Sequence, residues 1–257
     1  MPPGTGNEGG KLLIKRIAGV VEKVIDIFYP KRCAFCDRVL PVGEKFLCSE
    51  CSGLTPEVGE HYCMKCGKPV EEDEEYCIDC TNKETTFQYG RSVFVYNGLV
   101  KDSISRFKYH GRQEYAAFYA HAMYRQFGTW IARIAPDALI PVPIHKERRQ
   151  RRGYNQAELV ALELGRLCKV PVAADYLVRI KNTQPQKELS GKERLANLSQ
   201  AFSVRTMSQE LYKNLECVII VDDIYTTGST VETCAQILRE QGVGRIYFLC
   251  IGIGKGL

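Results

Sequence analysis

The chain has 257 residues, 45% of them hydrophobic and 25% charged, an ordinary globular usage that supports a sizeable core and excludes disorder, collagen and coiled coil. No apolar run approaches the roughly 20 residues of a membrane-spanning helix, and the opening Met1 to Gly10 lacks the basic and apolar regions of a secretion signal, so the chain reads as cytoplasmic with no transmembrane segment. The net charge of +5 is uneven: up to Gly90 there are 11 Lys/Arg against 15 Asp/Glu, beyond it 24 against 15, which leaves −4 on the first part, +9 on the second, and favours two domains over one.

Residues 1–29 read as a tail and an amphipathic helix. From Lys11 to Tyr29, apolar residues recur at helical spacing: Leu13, Ile17, Val20 or Val21, Val24 and Phe28. Glu22 and Asp26 interrupt a purely basic polar face, so docking onto the rest of the protein is favoured over a membrane-surface or partner helix.

Residues 30–86 read as a double zinc ribbon. Eight of the twelve cysteines form four Cys-x-x-Cys pairs: Cys33 and Cys36, Cys48 and Cys51, Cys63 and Cys66, Cys77 and Cys80. Two residues between thiolates let both sulfurs of a tight knuckle face one ion, and two knuckles complete the tetrahedral shell zinc prefers, so four imply two structural zincs. A reducing compartment disfavours disulfides, and a thioredoxin-type motif needs one pair, not four. Gaps of similar length leave the sharing of pairs open; sequential sharing is the simpler choice, because each hairpin-sized unit then closes on its own ion. The metal would supply folding energy to a segment too small to hold itself together. Glu71 to Glu75 reads as a solvated loop, and the single Cys168, Cys217, Cys234 and Cys250 as small buried hydrophobes.

Residues 87–257 read as an α/β domain with a parallel sheet flanked by helices, ligands binding at the carboxyl ends of its strands. Strands are predicted at Arg91 to Tyr96, Ala138 to Val142, Asp175 to Ile180, Cys217 to Val221 and Arg245 to Ile251, with helices at Leu99 to Tyr109, Gln113 to Ile134, Asn155 to Leu167 and Thr230 to Gln241. The sharpest feature is Val218-Ile-Ile-Val-Asp-Asp-Ile-Tyr-Thr-Thr-Gly-Ser-Thr230. Its β-branched run suits a strand buried on both faces. The acids Asp222 and Asp223 follow, then Thr226, Thr227 and Gly228, then Ser229-x-x-Glu232 at capping-box spacing, with Gly242 as a stop. Amides and hydroxyls of Thr226 to Thr230 at a helix start are a natural phosphate seat. Two carboxylates ahead of it suit vicinal hydroxyls one sugar away, which describes a ribose 5-phosphate. No Walker loop occurs.

That thirteen-residue string resembles the ribose-phosphate signature of type I phosphoribosyltransferases. Ile140-Pro-Val-Pro-Ile-His-Lys-Glu-Arg-Arg-Gln-Arg-Arg-Gly-Tyr-Asn-Gln156 stands where that class has its pyrophosphate loop. Arg179, Thr183, Gln184, Gln186, Arg194 and Asn197 stand where it has its hood. With Phe107-Lys108-Tyr109 and the Cys-x-x-Cys pairs, the chain resembles the ComF family from about Phe28 to Ile251. The resemblance implies a phosphoribosyltransferase-like fold and a role in DNA uptake and transformation. It also implies binding of phosphoribosyl pyrophosphate with Mg²⁺, handling of single-stranded DNA, and a ComFA-like helicase as partner. By motif match, Asp222 and Asp223 contact the ribose. Thr226, Thr227, Gly228, Ser229 and Thr230 hold the phosphate, and Arg152 serves the pyrophosphate. The loop after Pro143 departs from the small, glycine-rich form of base-salvage enzymes, and no base-recognition residue stands out.

Between Lys146 and Arg152, five of seven residues are Lys or Arg. Guanidinium forks match phosphate oxygens, and single strands need a basic groove with aromatic platforms. Lys108, Lys146, Arg148, Arg149, Arg151 and Tyr154 are therefore candidates for DNA or pyrophosphate, with Tyr109 as a second platform. His145 reads as a general acid or base or, more simply, as a structural hydrogen-bonder. Two alternatives stand beside ligand binding coupled to DNA uptake. One is an active phosphoribosyltransferase, a pentosyl-transferring enzyme, on an unknown nucleobase or nucleic-acid acceptor. The other is an adaptor that senses phosphoribosyl pyrophosphate without turnover.

Overall fold

A computed structural model describes residues 30–54, 56–81, 83–181, 201–205 and 212–254. The predicted helix of Lys11 to Tyr29 and the hood residues Thr183 to Asn197 lie outside the described residues. The chain divides into two compact units, Met1–Leu54 and Thr55–Leu257, so the second ribbon belongs to the same unit as the α/β body.

The two ribbons repeat one local design. In each, the first cysteine's N–H closes a loop on a carbonyl five residues on, Cys33 to Arg38 (2.8 Å) and Cys63 to Lys68 (2.7 Å). The turn between is tightened by Asp37 N–H to Cys33 O in one ribbon and Gly67 N–H to Cys63 O in the other. Asp37 and Gly67 both adopt positive φ, 62° and 79°, a conformation glycine takes without strain. The second cysteine pair of each ribbon flanks or enters a one-turn helix, α1 (Ser49–Ser52) or α2 (Ile78–Thr81).

The body carries the elements β1 (Gly90–Val95), α3 (Gly98–Tyr109), α4 (Tyr115–Ile134), β2 (Ala138–Pro141), α5 (Lys146–Arg152), α6 (Gln156–Cys168), β3 (Leu177–Arg179), β4 (Phe202–Val204), β5 (Cys217–Tyr225), α7 (Ser229–Glu240) and β6 (Arg245–Ile253). Four strands form a parallel sheet in the order β1-β6-β5-β2, flanked by helices, which is the α/β class expected. The β-branched run of β5 and the apolar run of β6 fill the two central positions, where both faces need apolar cover. Among the described residues, no helix is long and apolar enough to cross a membrane.

Four local expectations are corrected. The strand predicted at Asp175 to Ile180 does not join the parallel sheet: Leu177–Arg179 pairs antiparallel with Phe202–Val204, a three-residue run too short to show a period. β5 does not stop at Val221 but continues through both acids to Tyr225, because β6 pairs along its whole length. The basic run is not a loop but the helix α5, its residues good helix formers closed by Gly153 at φ 81°. Ser229 does not cap α7; Gly228 at φ 76° occupies that position with no side-chain bond, and Glu232 is used elsewhere. Gly242 does stop α7: Val243 N–H reaches Leu238 O and Gly242 N–H reaches Arg239 O, the paired bonds of a Schellman motif.

The second ribbon is fastened to β1. Gly90 N–H donates to Lys65 O (2.9 Å), and the Arg91 guanidinium donates to the carbonyls of Met64 and Gly90 while lying over the rings of Tyr62 and Tyr89. This junction has no room for a side chain at Gly90, where a Cβ would fall 2.2 Å from the Phe248 ring. Gly90→Ala therefore costs about 1–3 kcal/mol by overpacking, visible as a lower urea midpoint. An unchanged midpoint would mean that the β1–Phe248 contact is loose.

Candidate functional site

The cysteines assemble into two quartets, Cys33, Cys36, Cys48 and Cys51, and Cys63, Cys66, Cys77 and Cys80, the sulfurs of each all within 4.8 Å of one another. Sequential pairs thus share a site. Cys36 Sγ and Cys48 Sγ are 3.6 Å apart, as are Cys66 Sγ and Cys77 Sγ. Four sulfurs at the Zn–S length of about 2.3 Å in a tetrahedron stand about 3.8 Å apart, so both quartets fit zinc. Cys48 N–H points at Cys33 Sγ (3.4 Å), an outer bond of the kind that steadies a thiolate. Hydrogen bonds from Cys66 and Cys80 hold the Cys63 thiol well below its ordinary value. With all four positions filled by protein, zinc here supplies structure and not catalysis.

The second centre of chemistry lies where β5 ends. Asp222 stands opposite Cys250 of β6, with Asp223 beside it. Asp223 N–H donates to Asp222 Oδ1 (2.8 Å), and Lys108 Nζ of α3 pairs with Asp223 Oδ2 (2.8 Å). Burial, and then the charge of Asp223, push the Asp222 carboxyl up to about 7, against the pull of that N–H bond and of Lys108 and Arg179. Arg179 of β3 is thus within electrostatic reach of Asp222, and burial and the neighbouring Arg148 charge hold it below the ordinary arginine value. Its place on a three-residue strand gave no periodic signal. The loop follows directly: Thr226 and Thr227 are exposed, Thr227 Oγ1 and Ser229 Oγ are 3.0 Å apart, and Gly228 N-caps α7.

The basic helix separates into members with different roles. Lys108, Tyr109, Gly111, Arg148, Arg151 and Arg152 line a cleft of about 610 Å³. Arg149 instead turns away to Glu158 (2.7 Å). Arg152 lies over the ring of the exposed Tyr109 (4.8 Å) and donates to its hydroxyl and to Gln156 Oε1. Among the described residues, Lys146, Arg148 and Arg151 have no carboxylate partner. Tyr154 is no platform: its ring is buried against Phe107 and its hydroxyl donates to Phe107 O, so the aromatic surface of this cleft is Tyr109. His145 is buried and caps α5, its Nδ1 accepting from Glu147 N–H.

A larger cleft of about 710 Å³, walled by Tyr62, Tyr89, Phe127 and Trp130, lies against β1. Its one arginine, Arg91, is already sandwiched and hydrogen-bonded in fastening the ribbon, which marks the cleft as part of that junction.

Two zinc ribbons ahead of an α/β body, with paired acids and a Thr-Thr-Gly-Ser turn at the end of a central strand, define the class. Residues 24–81 match the double zinc ribbon domain family. Across 85% of the chain and 95% of the relative, the sequence is 32% identical to competence protein F of Haemophilus influenzae. It is 31% identical to competence protein ComFC of Bacillus subtilis (76% and 79%), and 29% identical to the DNA utilization protein YhgH of Escherichia coli (86% and 96%). The chain belongs to the ComF family.

The raised Asp222 carboxyl fixes a pH dependence. Its folded value lies above the roughly 3.9 of an unfolded aspartate, so the stability it confers is complete below about pH 4 and is lost as pH rises toward 7. Asp222→Asn removes that loss: in urea titrations the variant gains on the wild type by up to about 4 kcal/mol between pH 4 and 8. Parallel pH profiles for the two proteins would contradict a buried, strained carboxyl.

Proposed function

We propose that this chain binds phosphoribosyl pyrophosphate with Mg²⁺ at the end of β5 and serves DNA uptake in the manner its relatives' names denote. Asp222 and Asp223 would take the ribose hydroxyls and the metal. Thr226, Thr227, Gly228, Ser229 and Thr230 would take the 5-phosphate, and Lys108, Arg148 and Arg152 the pyrophosphate. The observation that carries this reading is the Lys108–Asp223 pair, which joins the acidic strand end to the basic cleft so that sugar and phosphate ligands meet in one place. Cations there would neutralise charge developing on departing pyrophosphate, should transfer to an acceptor occur.

The exposed Tyr109 with Arg152 over its ring favours a second ligand on the same cleft, single-stranded DNA, read by stacking and phosphate contacts. A ComFA-like helicase is then the natural protein partner, an assignment supported by the family membership.

Titration calorimetry of the zinc-loaded protein with phosphoribosyl pyrophosphate and Mg²⁺ tests the ligand reading. Micromolar binding is expected, weakened at least about a hundredfold in an Asp222→Ala, Asp223→Ala double variant, the scale of losing charged hydrogen bonds to a ligand. No heat with folded wild-type protein would remove this reading. An oligonucleotide titrated in its place should bind with an affinity that falls steeply with salt.

A further inference from the structure

The second Cys₄ site and the loop after β5 belong to one packed body. Cys63, Cys66, Cys77 and Cys80 lie in the same buried cluster as Phe87, Tyr225, Val231, Cys234 and Phe248. Tyr225, the last residue of β5, stacks on Phe248 with centroids 4.7 Å apart and planes within 1°, and Phe87 meets the same ring edge-on at 5.0 Å. The loop folds back over Tyr225 so closely that a Cβ at Gly228 would lie 2.3 Å from its hydroxyl.

The segment leaving the second ribbon then grips the loop from outside. Lys83 Nζ donates to Thr227 O (3.2 Å). Thr86 gives both its N–H (3.0 Å) and its hydroxyl (2.6 Å) to the carboxylate of Glu232, a buried residue in the first turn of α7. Arg239 returns a bond to Thr86 O (3.2 Å). A buried carboxylate needs such donors, and bonds to a charged acceptor are the stronger kind. Lys83 and Thr86 follow within six residues of Cys80, so their positions depend on the ribbon's being folded, and a ribbon of this size folds on its metal.

We propose that the second Cys₄ site is the anchor of the Thr226–Thr230 loop, so that metal held there and a phosphate ligand held in the loop strengthen one another. The first Cys₄ site belongs to the other compact unit and takes no part in this coupling. The ligand half of the inference rests on the reading of the loop as a phosphate seat; the metal half does not. By linkage, what the metal does for the ligand the ligand does equally for the metal.

The test uses the full chain loaded with ¹¹³Cd at both sites, with transfer of each metal to a chelator followed by its NMR resonance and the first site assigned through Cys36→Ser. Glu232→Ala, and the milder Thr86→Val should Glu232→Ala fail to fold, ought to speed release from the second site by about tenfold and leave the first unchanged. Phosphoribosyl pyrophosphate with Mg²⁺ should slow release from the second site alone. Wild-type release rates in folded Glu232→Ala or Thr86→Val would overturn the proposal, as would ligand binding that leaves second-site release untouched. If calorimetry detects no ligand binding to the wild type, the phosphate reading fails, and the two variants' release rates still decide whether metal and loop are coupled.

Discussion

The ring of Phe248 stands where four parts of the chain meet. Gly90 lies against it from β1, Phe87 meets it edge-on from the segment leaving the second ribbon, Tyr225 stacks on it from β5, and its own strand β6 is hydrogen-bonded on both sides. Each contact constrains the next. Gly90 has to be glycine for β1 to carry the ribbon's knuckle at Lys65, and Tyr225 has to lie flat for Gly228 to turn above it. The geometry of the turn after β5 is thus set from beneath by aromatic packing, and the packing is bounded by a Cys₄ site.

This arrangement explains why a structural metal stands so near a candidate ligand site without taking part in its chemistry. Zinc with four thiolates has no open position. It fixes a short segment whose two polar side chains, Lys83 and Thr86, hold a loop and a helix start that cap with no side chain of their own. A loop built only on Thr226, Thr227 and Gly228 would have little to hold it, since two of the three are exposed and the third sits at positive φ. On the other side of the acids, Lys108 offsets one carboxylate while Asp222 keeps a raised value. The strand end therefore holds one paired acid and one poised to ionise near neutral pH.

Much of this was legible in the residues, for reasons that differ from element to element. The four Cys-x-x-Cys pairs carry their chemistry in their spacing, and β5 announces itself because a central parallel strand needs an unbroken β-branched run. The helices α3, α4 and α6 follow from long apolar periods, and Gly242 from the backbone shape of a helix end. Less was legible wherever a residue's role depends on a distant partner. Glu232 has capping-box spacing, yet its carboxylate is committed to Thr86, 146 residues away in sequence. Tyr154 sits in a basic run, yet its ring belongs to the core with Phe107. Arg149 and Arg151 are alike in sequence, yet one turns to Glu158 and the other lines the cleft. The basic helix itself was within reach, since helix-forming Lys, Glu, Gln and Arg followed by Gly153 are a helix with its stop.

A second ribbon and a β5–α7 turn that form one cooperative body must open together, which native-state hydrogen exchange across a denaturant series reads amide by amide. The amides of Cys63, Gly67 and Cys80, each hydrogen-bonded within the ribbon, should then open with the same free energy and denaturant dependence as those of Ile220 and Glu232. Ribbon amides opening at a distinctly lower free energy, while the β5 and α7 amides stay protected, would contradict it.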